Sequence, residues 1–300
     1  MTFTGLYVPL VTPFTATGEV ALEALSGLAH QSLDAGAAGL VVLGTTGEPA
    51  TLTAAEQRQV VDVCASACQE RGAQLILGAG TNTTAGSVDA VAALDSRAAA
   101  ALVVVPYYTR PSEAGVIEHF RRVAAASPVP VVIYHIPYRT GRTLGAETLC
   151  RLAELPNVAG FKYAGGGIDD TAIGFLSQVS PGTSVLAGDD IYTAPLLALG
   201  ASGGILACAN VAPAAYVELI AAWRSGEIEH GRRLGNSLVP LASALFAEPN
   251  PTVVKGVLAA QGRIPSAAVR LPLLPAAESS VSAALAALEG VSAQLVPAAR

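Results

Sequence analysis

Lysine is nearly missing from this chain. There are two in 300 residues, Lys162 and Lys255, against fifteen arginines. Charge of either sign is scarce, at 13% of residues, and the net charge is −6. With no Lys/Arg cluster the sequence has no basic footprint for a phosphate backbone, so no nucleic-acid partner is expected. Arg121–Arg122 and Arg232–Arg233 are isolated pairs on helical patterns and read as solvated. No uninterrupted apolar run approaches the roughly 18 residues of a membrane span, although 52% of residues are hydrophobic. The surplus is largely alanine. The opening MTFTGLYVPLVTPF lacks a basic n-region and a small-residue cleavage site, so a cytoplasmic protein is expected. Four cysteines show no metal-site spacing; Cys64 and Cys68 lie four apart on a helical pattern and read as reduced core thiols. Four histidines are scattered, with no HxH or HExxH, so no metal is expected.

What is present is a rhythm. Short runs rich in Val, Ile and Leu recur at 6–13, 39–46, 74–80, 101–108, 129–137, 158–164, 184–190 and 203–210. Each is nearly continuous in apolar residues, as strands covered on both faces should be. Helix-like segments follow them. Thr53 with Glu56 three residues on has the form of a capping box, and Ser112 opens another helix. Eight such units in about 220 residues match a parallel (β/α)8 barrel (TIM barrel) better than an open sheet. No GxGxxG follows the first strand. Beyond residue 225 the pattern is all-helical. The expected division is a barrel over 1–225 and a C-terminal helical region packed on it over 226–300.

In such barrels the active site lies at the C-terminal ends of the strands. Thr12, Thr45–Thr46, Tyr107–Tyr108, Tyr134, Arg139, Lys162, Gly188–Asp189 and Ile205 stand there. An amine in an apolar cavity is disfavoured as an ammonium, so its pKa falls and it becomes nucleophilic. Imine formation with a carbonyl is open to such an amine and closed to arginine. The competing reading of Lys162 is a buried lysine paired with an acid. Tyr134 is the candidate proton shuttle, with Thr45 and Tyr108 as further hydroxyls in a relay. Asp189–Asp190 reads as a helix N-cap.

The segments GTTGEPATLTAAE (44–56), PYYTRPSEAG (106–115), YHIPYRTG (134–141), GFK (160–162), GDD (188–190) and LFAEPNP (245–251) together resemble the dihydrodipicolinate synthase family, within the pyruvate-dependent class I aldolases. The resemblance runs nearly end to end. It implies Lys162 as the Schiff-base residue for pyruvate and Tyr134 as general acid/base. It implies that Thr45 links Tyr134 to a Tyr108 donated across a dimer contact. Thr46 and Arg139 would hold the carboxylates of pyruvate and aspartate semialdehyde, Gly188 and Ile205 would line the pocket, and Tyr107 would be an interface aromatic. It also implies small-molecule substrates, no cofactor beyond the substrate imine, and a homo-oligomer built as a dimer of dimers.

The sequence departs from the family pattern in three places. Tyr163, Ala164 and Gly165 replace the usual Glu-Ala-Thr, His135 replaces asparagine, and Thr109 replaces another asparagine. A related aldolase acting on 2-keto-3-deoxy or 4-hydroxy-2-keto acids is therefore the alternative, and a non-catalytic small-molecule-binding barrel the second. With Ala54, Gln57 and Gly86 at the positions matching the lysine site of sensitive members, feedback inhibition by lysine is expected to be weak or absent, although Asn82 and Tyr107 remain.

Overall fold

The computed structural model describes residues 2–295, with side chains as far as residue 291. Eight strands form a closed barrel in sequence order. They are β1 (Gly5–Pro9), β2 (Gly39–Val42), β3 (Gln74–Gly78), β4 (Ala100–Val104), β5 (Val131–His135), β6 (Val158–Tyr163), β7 (Ser184–Ala187) and β8 (Gly203–Ile205). All eight expected strands are found. β2, β5 and β7 are buried at every position, which is why their sequences run apolar without alternation. Helices at Leu22–Asp34, Ala54–Arg71, Thr84–Ala92, Glu113–Ala126, Ala146–Ala153, Asp170–Gln178, Thr193–Ala198 and Pro213–Ser225 follow the eight strands in turn. Three further helices, Ile228–Leu245, Thr252–Ala260 and Glu278–Leu295, complete the described chain.

Two compact units can be distinguished. The first holds the N-terminal residues through Gly5 together with Gln74–Ile205. In it, β3 to β8 pair in parallel. Phe161 and Tyr163 on β6 meet Phe175 on helix Asp170–Gln178, with ring centroids 5.0 and 5.9 Å apart. Each such aromatic pair is worth about 0.5–1.5 kcal/mol beyond its buried area. Ser184 Oγ accepts the Phe3 N–H at 2.7 Å, fixing the chain ahead of β1.

The second unit holds Leu6–Ala73 and the chain from Leu206 onward. Asn210 stitches it by donating to the Pro9 carbonyl at 2.8 Å and accepting from the Val11 N–H at 3.2 Å. Helices Ile228–Leu245 and Glu278–Leu295 pack along each other. Cys64 and Cys68 are buried and in no disulfide, as expected, and burial raises both thiol pKa values, Cys68 to about 11.

Helix starts follow local sequence. The Thr53 hydroxyl accepts the Glu56 N–H at 3.2 Å, and the Glu56 carboxylate accepts the Thr53 N–H at 2.8 Å, which completes the capping box. Ser112 Oγ accepts the Gly115 N–H at 3.2 Å. The arginine pairs are surface features: Arg121 and Arg122 share Glu118 at 2.6 and 2.7 Å. Among the described residues no helix is long and apolar enough to cross a membrane.

Glu56 has a second role. Its carboxylate also takes the Arg270 guanidinium at 3.0 and 2.5 Å, and that hydrogen bonding, with the cap, holds its pKa down at about 2. A folded-state pKa below the unfolded value stabilises above the unfolded pKa and fades as pH falls toward the folded one. Glu56→Ala is therefore expected to cost about 1–2 kcal/mol in urea unfolding at pH 7. The difference from wild type should shrink between pH 4.5 and 2.

Candidate active site

Side chains alternate along a strand. Phe161 and Tyr163 point into the helical layer, so Lys162 between them points the other way, onto the inner face of the sheet. β5 and β6 pair with Tyr134 opposite Lys162. Both are buried, at 6% exposure each. The Lys162 Nζ lies 4.3 Å from the centroid of the Tyr134 ring. The next strand must leave room for this amine. The Gly188 N–H donates to the Tyr163 carbonyl at 2.7 Å, and a Cβ on Gly188 would stand 2.9 Å from Lys162 Cγ. Only glycine fits there.

Among the described residues Lys162 makes no ion pair. Burial is the largest influence on the amine and lowers its pKa to about 8; Asp190 and Asp189 oppose that, and Arg139 adds to it. Asp189 corrects the expectation of an N-cap. It precedes the short turn Asp190–Tyr192, but its side chain does not cap it. The carboxylate instead accepts the Gly166 N–H at 2.9 Å. A three-residue turn offers few unsatisfied donors, whereas the glycine loop after β6 offers one that is close. Burial raises the Asp189 pKa.

Arg139 is exposed on the turn Pro137–Thr140, its guanidinium 5.9 Å from the Tyr138 ring centroid. Ile205 ends β8 and is fully buried. Tyr107 and Tyr108 lie in the loop after β4, 40% and 88% exposed. Tyr108 adopts a left-handed φ of 69°, uncommon for an aromatic residue.

Thr45 and Thr46 belong to the second unit, on the short turn Thr45–Gly47 after β2. Thr46 is buried, and its hydroxyl accepts from Asn250 Nδ2 at 3.0 Å. Thr12 Oγ1 donates to the Gly47 carbonyl at 2.7 Å. The structure thus groups Lys162, Tyr134, Gly188 and Asp189 in one unit, and Thr12, Thr45 and Thr46 in the other. Asn250 was missed as a functional candidate. It falls inside the quoted LFAEPNP segment, which was the available signal.

Two of the departures from the family pattern face away from the amine. His135 and Tyr163 lie ring to ring at 5.6 Å on the helical side of β5 and β6. Burial lowers the His135 pKa to about 4, so the ring is neutral at physiological pH. Burial likewise pushes the Tyr163 phenol up. Among the described residues no group of three or more His, Cys, Asp or Glu is placed to hold a metal ion.

Chemically, the first unit offers a nucleophilic amine near neutrality beside a phenol. The apparent second-order rate of imine formation with a 2-keto acid should rise with pH through an inflection near 8, as the free amine is released. Asp189→Asn removes a charge that favours the ammonium, and is expected to move that inflection to lower pH. Stopped-flow measurement between pH 6 and 10 checks both.

The chain matches the family model described as "Dihydrodipicolinate synthetase family" over residues 2–290. It is 40% identical over 279 residues to the 4-hydroxy-tetrahydrodipicolinate synthase of Syntrophus aciditrophicus, covering 93% of this chain and 94% of that one. Its fold is similar to the crystal structure of dihydrodipicolinate synthase from Thermotoga maritima, with a TM-score of 0.93, 36% identity, and 97% and 99% of the two chains covered. It is similar also to the Acinetobacter baumannii dihydrodipicolinate synthase complexed with pyruvate, at TM-score 0.92 and 34% identity, covering 97% and 99%.

Proposed function

The chain belongs to the dihydrodipicolinate synthetase family, and from that premise we propose that it condenses pyruvate with L-aspartate 4-semialdehyde through an imine on Lys162. The observation that carries this reading is a buried amine without an ion pair among the described residues, opposite a tyrosine on the neighbouring strand. The relatives' shared name, 4-hydroxy-tetrahydrodipicolinate synthase, supports the product and the place in lysine and diaminopimelate biosynthesis.

The neutral Lys162 amine adds to the keto carbon of pyruvate, and the carbinolamine loses water to give a protonated imine. That cation acts as an electron sink: the methyl carbon gives its proton to the assigned base, and the C–H electron pair moves in to leave an enamine. The enamine carbon forms a bond to the aldehyde carbon of the semialdehyde, whose oxygen takes up a proton. The semialdehyde's own amino group then attacks the imine carbon, closes the ring and releases the lysine. Each proton transfer needs a nearby acid or base. Tyr134 is assigned that role, with Thr45 and a Tyr108 from a second copy relaying to solvent. Thr46 is assigned the pyruvate carboxylate and Arg139 that of the semialdehyde, where a planar fork suits bidentate contact. Gly188 and Ile205 line the pocket. The scheme needs no cofactor or metal. The exposed Tyr107–Tyr108 loop suits an interface, so a homodimer or dimer of dimers is proposed, in the cytoplasm.

The competing reading is a lyase for 2-keto-3-deoxy or 4-hydroxy-2-keto acids. Arg139 favours the synthase, because a carboxylate-bearing aldehyde needs a cation there. His135 and Tyr163 do not argue against it, since both face away from the amine.

Borohydride added with pyruvate should leave a reduced adduct on Lys162, read by peptide mass spectrometry, and Lys162→Ala should give none. An unlabelled Lys162 removes the mechanism. Arg139→Ala is expected to lower kcat/KM for the semialdehyde by about a hundredfold, as a lost charge-assisted contact predicts. Pyruvate trapping on Lys162 should persist.

A further inference from the structure

The second lysine pairs with the residue that follows the Thr45–Gly47 turn. Lys255 on helix Thr252–Ala260 is fully buried, and its ammonium donates to Glu48 Oε1 at 2.7 Å. Glu48 directly follows the turn and is 5% exposed. Its other carboxylate oxygen accepts the Arg270 N–H at 3.0 Å. Lys255 Nζ and the Arg270 guanidinium both sit over the Phe14 ring, 4.0 and 4.4 Å from its centroid. Arg270 also donates to the carbonyls of Thr51 and Gly18, each at 2.8 Å.

Glu48 carries a left-handed φ of 52° without being glycine. Such a conformation persists only where surrounding contacts over-determine it. Here the contacts are an ion pair and a backbone hydrogen bond to one buried carboxylate. Five residues before Lys255, Asn250 donates to the Thr46 hydroxyl at 3.0 Å. Its own Oδ1 is buried and has no partner among the described residues. The segment from Asn250 to Lys255 therefore grips the turn at both ends, at the Thr46 hydroxyl and at Glu48.

We propose that Asn250 and the buried Glu48–Lys255 ion pair are positioning residues for the keto-acid carboxylate. They hold the Thr45–Gly47 turn in the shape that receives it, so the segment entering helix Thr252–Ala260 sets affinity for the first substrate without taking part in imine chemistry. This rests on the assignment of Thr46 to the pyruvate carboxylate. A buried ion pair is weak evidence of net stability. Its placement at a strained residue beside a binding turn gives it a different value, because small displacements of substrate-positioning groups are costly in rate and affinity.

The test is a split of kinetic constants on the full-length protein. Asn250→Ala is expected to raise KM for pyruvate roughly tenfold, with kcat and the KM for the semialdehyde unchanged. Lys255→Met alone strands a buried carboxylate and is expected to impair folding. The double variant Glu48→Gln/Lys255→Met removes both charges together and should fold, as followed by near-UV circular dichroism. It too should show a raised pyruvate KM. Wild-type KM in Asn250→Ala, or in the folded double variant, overturns the proposal. So does a failure of the double variant to fold with Asn250→Ala unchanged, since the pair is then purely structural. Wild-type protein that borohydride and pyruvate fail to label on Lys162 defeats the underlying reading itself. Labelled wild type with unaffected variants defeats only this one.

Discussion

One desolvated amine organises the chemistry of this molecule. Burial, with no ion pair among the described residues, disfavours the ammonium of Lys162; Asp190 and Asp189 oppose that through space, and Arg139 works against them. Lys255 is the instructive contrast. It too is deeply buried and its pKa is also lowered by burial, yet it donates directly to a carboxylate. The same side chain is assigned as a nucleophile in one place and forms an ion pair in the other. What separates them is whether the space beside the nitrogen is occupied by an acid. A lysine paired with a buried acid is found at Lys255, not at Lys162.

The barrel makes that arrangement possible through strand alternation. Phe161 and Tyr163 fill the layer against helix Asp170–Gln178, which commits Lys162 to the opposite face. Register then brings Tyr134 alongside. Gly188 on the far side keeps the volume around the lysine stem open. None of these neighbours need be reactive. They fix where the nitrogen is and how little water reaches it.

Much of the scaffold could be read directly from sequence, because it is written in local pattern. Strands buried on both faces run apolar without interruption, and Thr53 with Glu56 declares a helix start within four residues. Lys162 was legible because lysine is otherwise so rare. What escaped was long-range. Asn250 meets Thr46 across 204 positions, and Lys255 meets Glu48 across 207. No periodicity joins such residues, and each looks ordinary alone. Asp189 was misassigned for a related reason: its local setting offered a turn to cap, while its true partner is Gly166 on the preceding loop. Local reasoning weighs nearby donors and cannot see those that folding delivers.

Tyr163 and Gly165 carry one further implication. A methyl group at 165 would stand 2.7 Å from the Tyr163 oxygen, so the large ring and the bare backbone are fitted to each other. Exchanging Gly165 for threonine first meets the ring; exchanging Tyr163 for glutamate first leaves an aromatic-sized hole against Phe175 and sets a charge in it. Each residue therefore limits what can stand at the other position. Converting this strand end to the Glu-Ala-Thr form one residue at a time passes through a poorly packed intermediate.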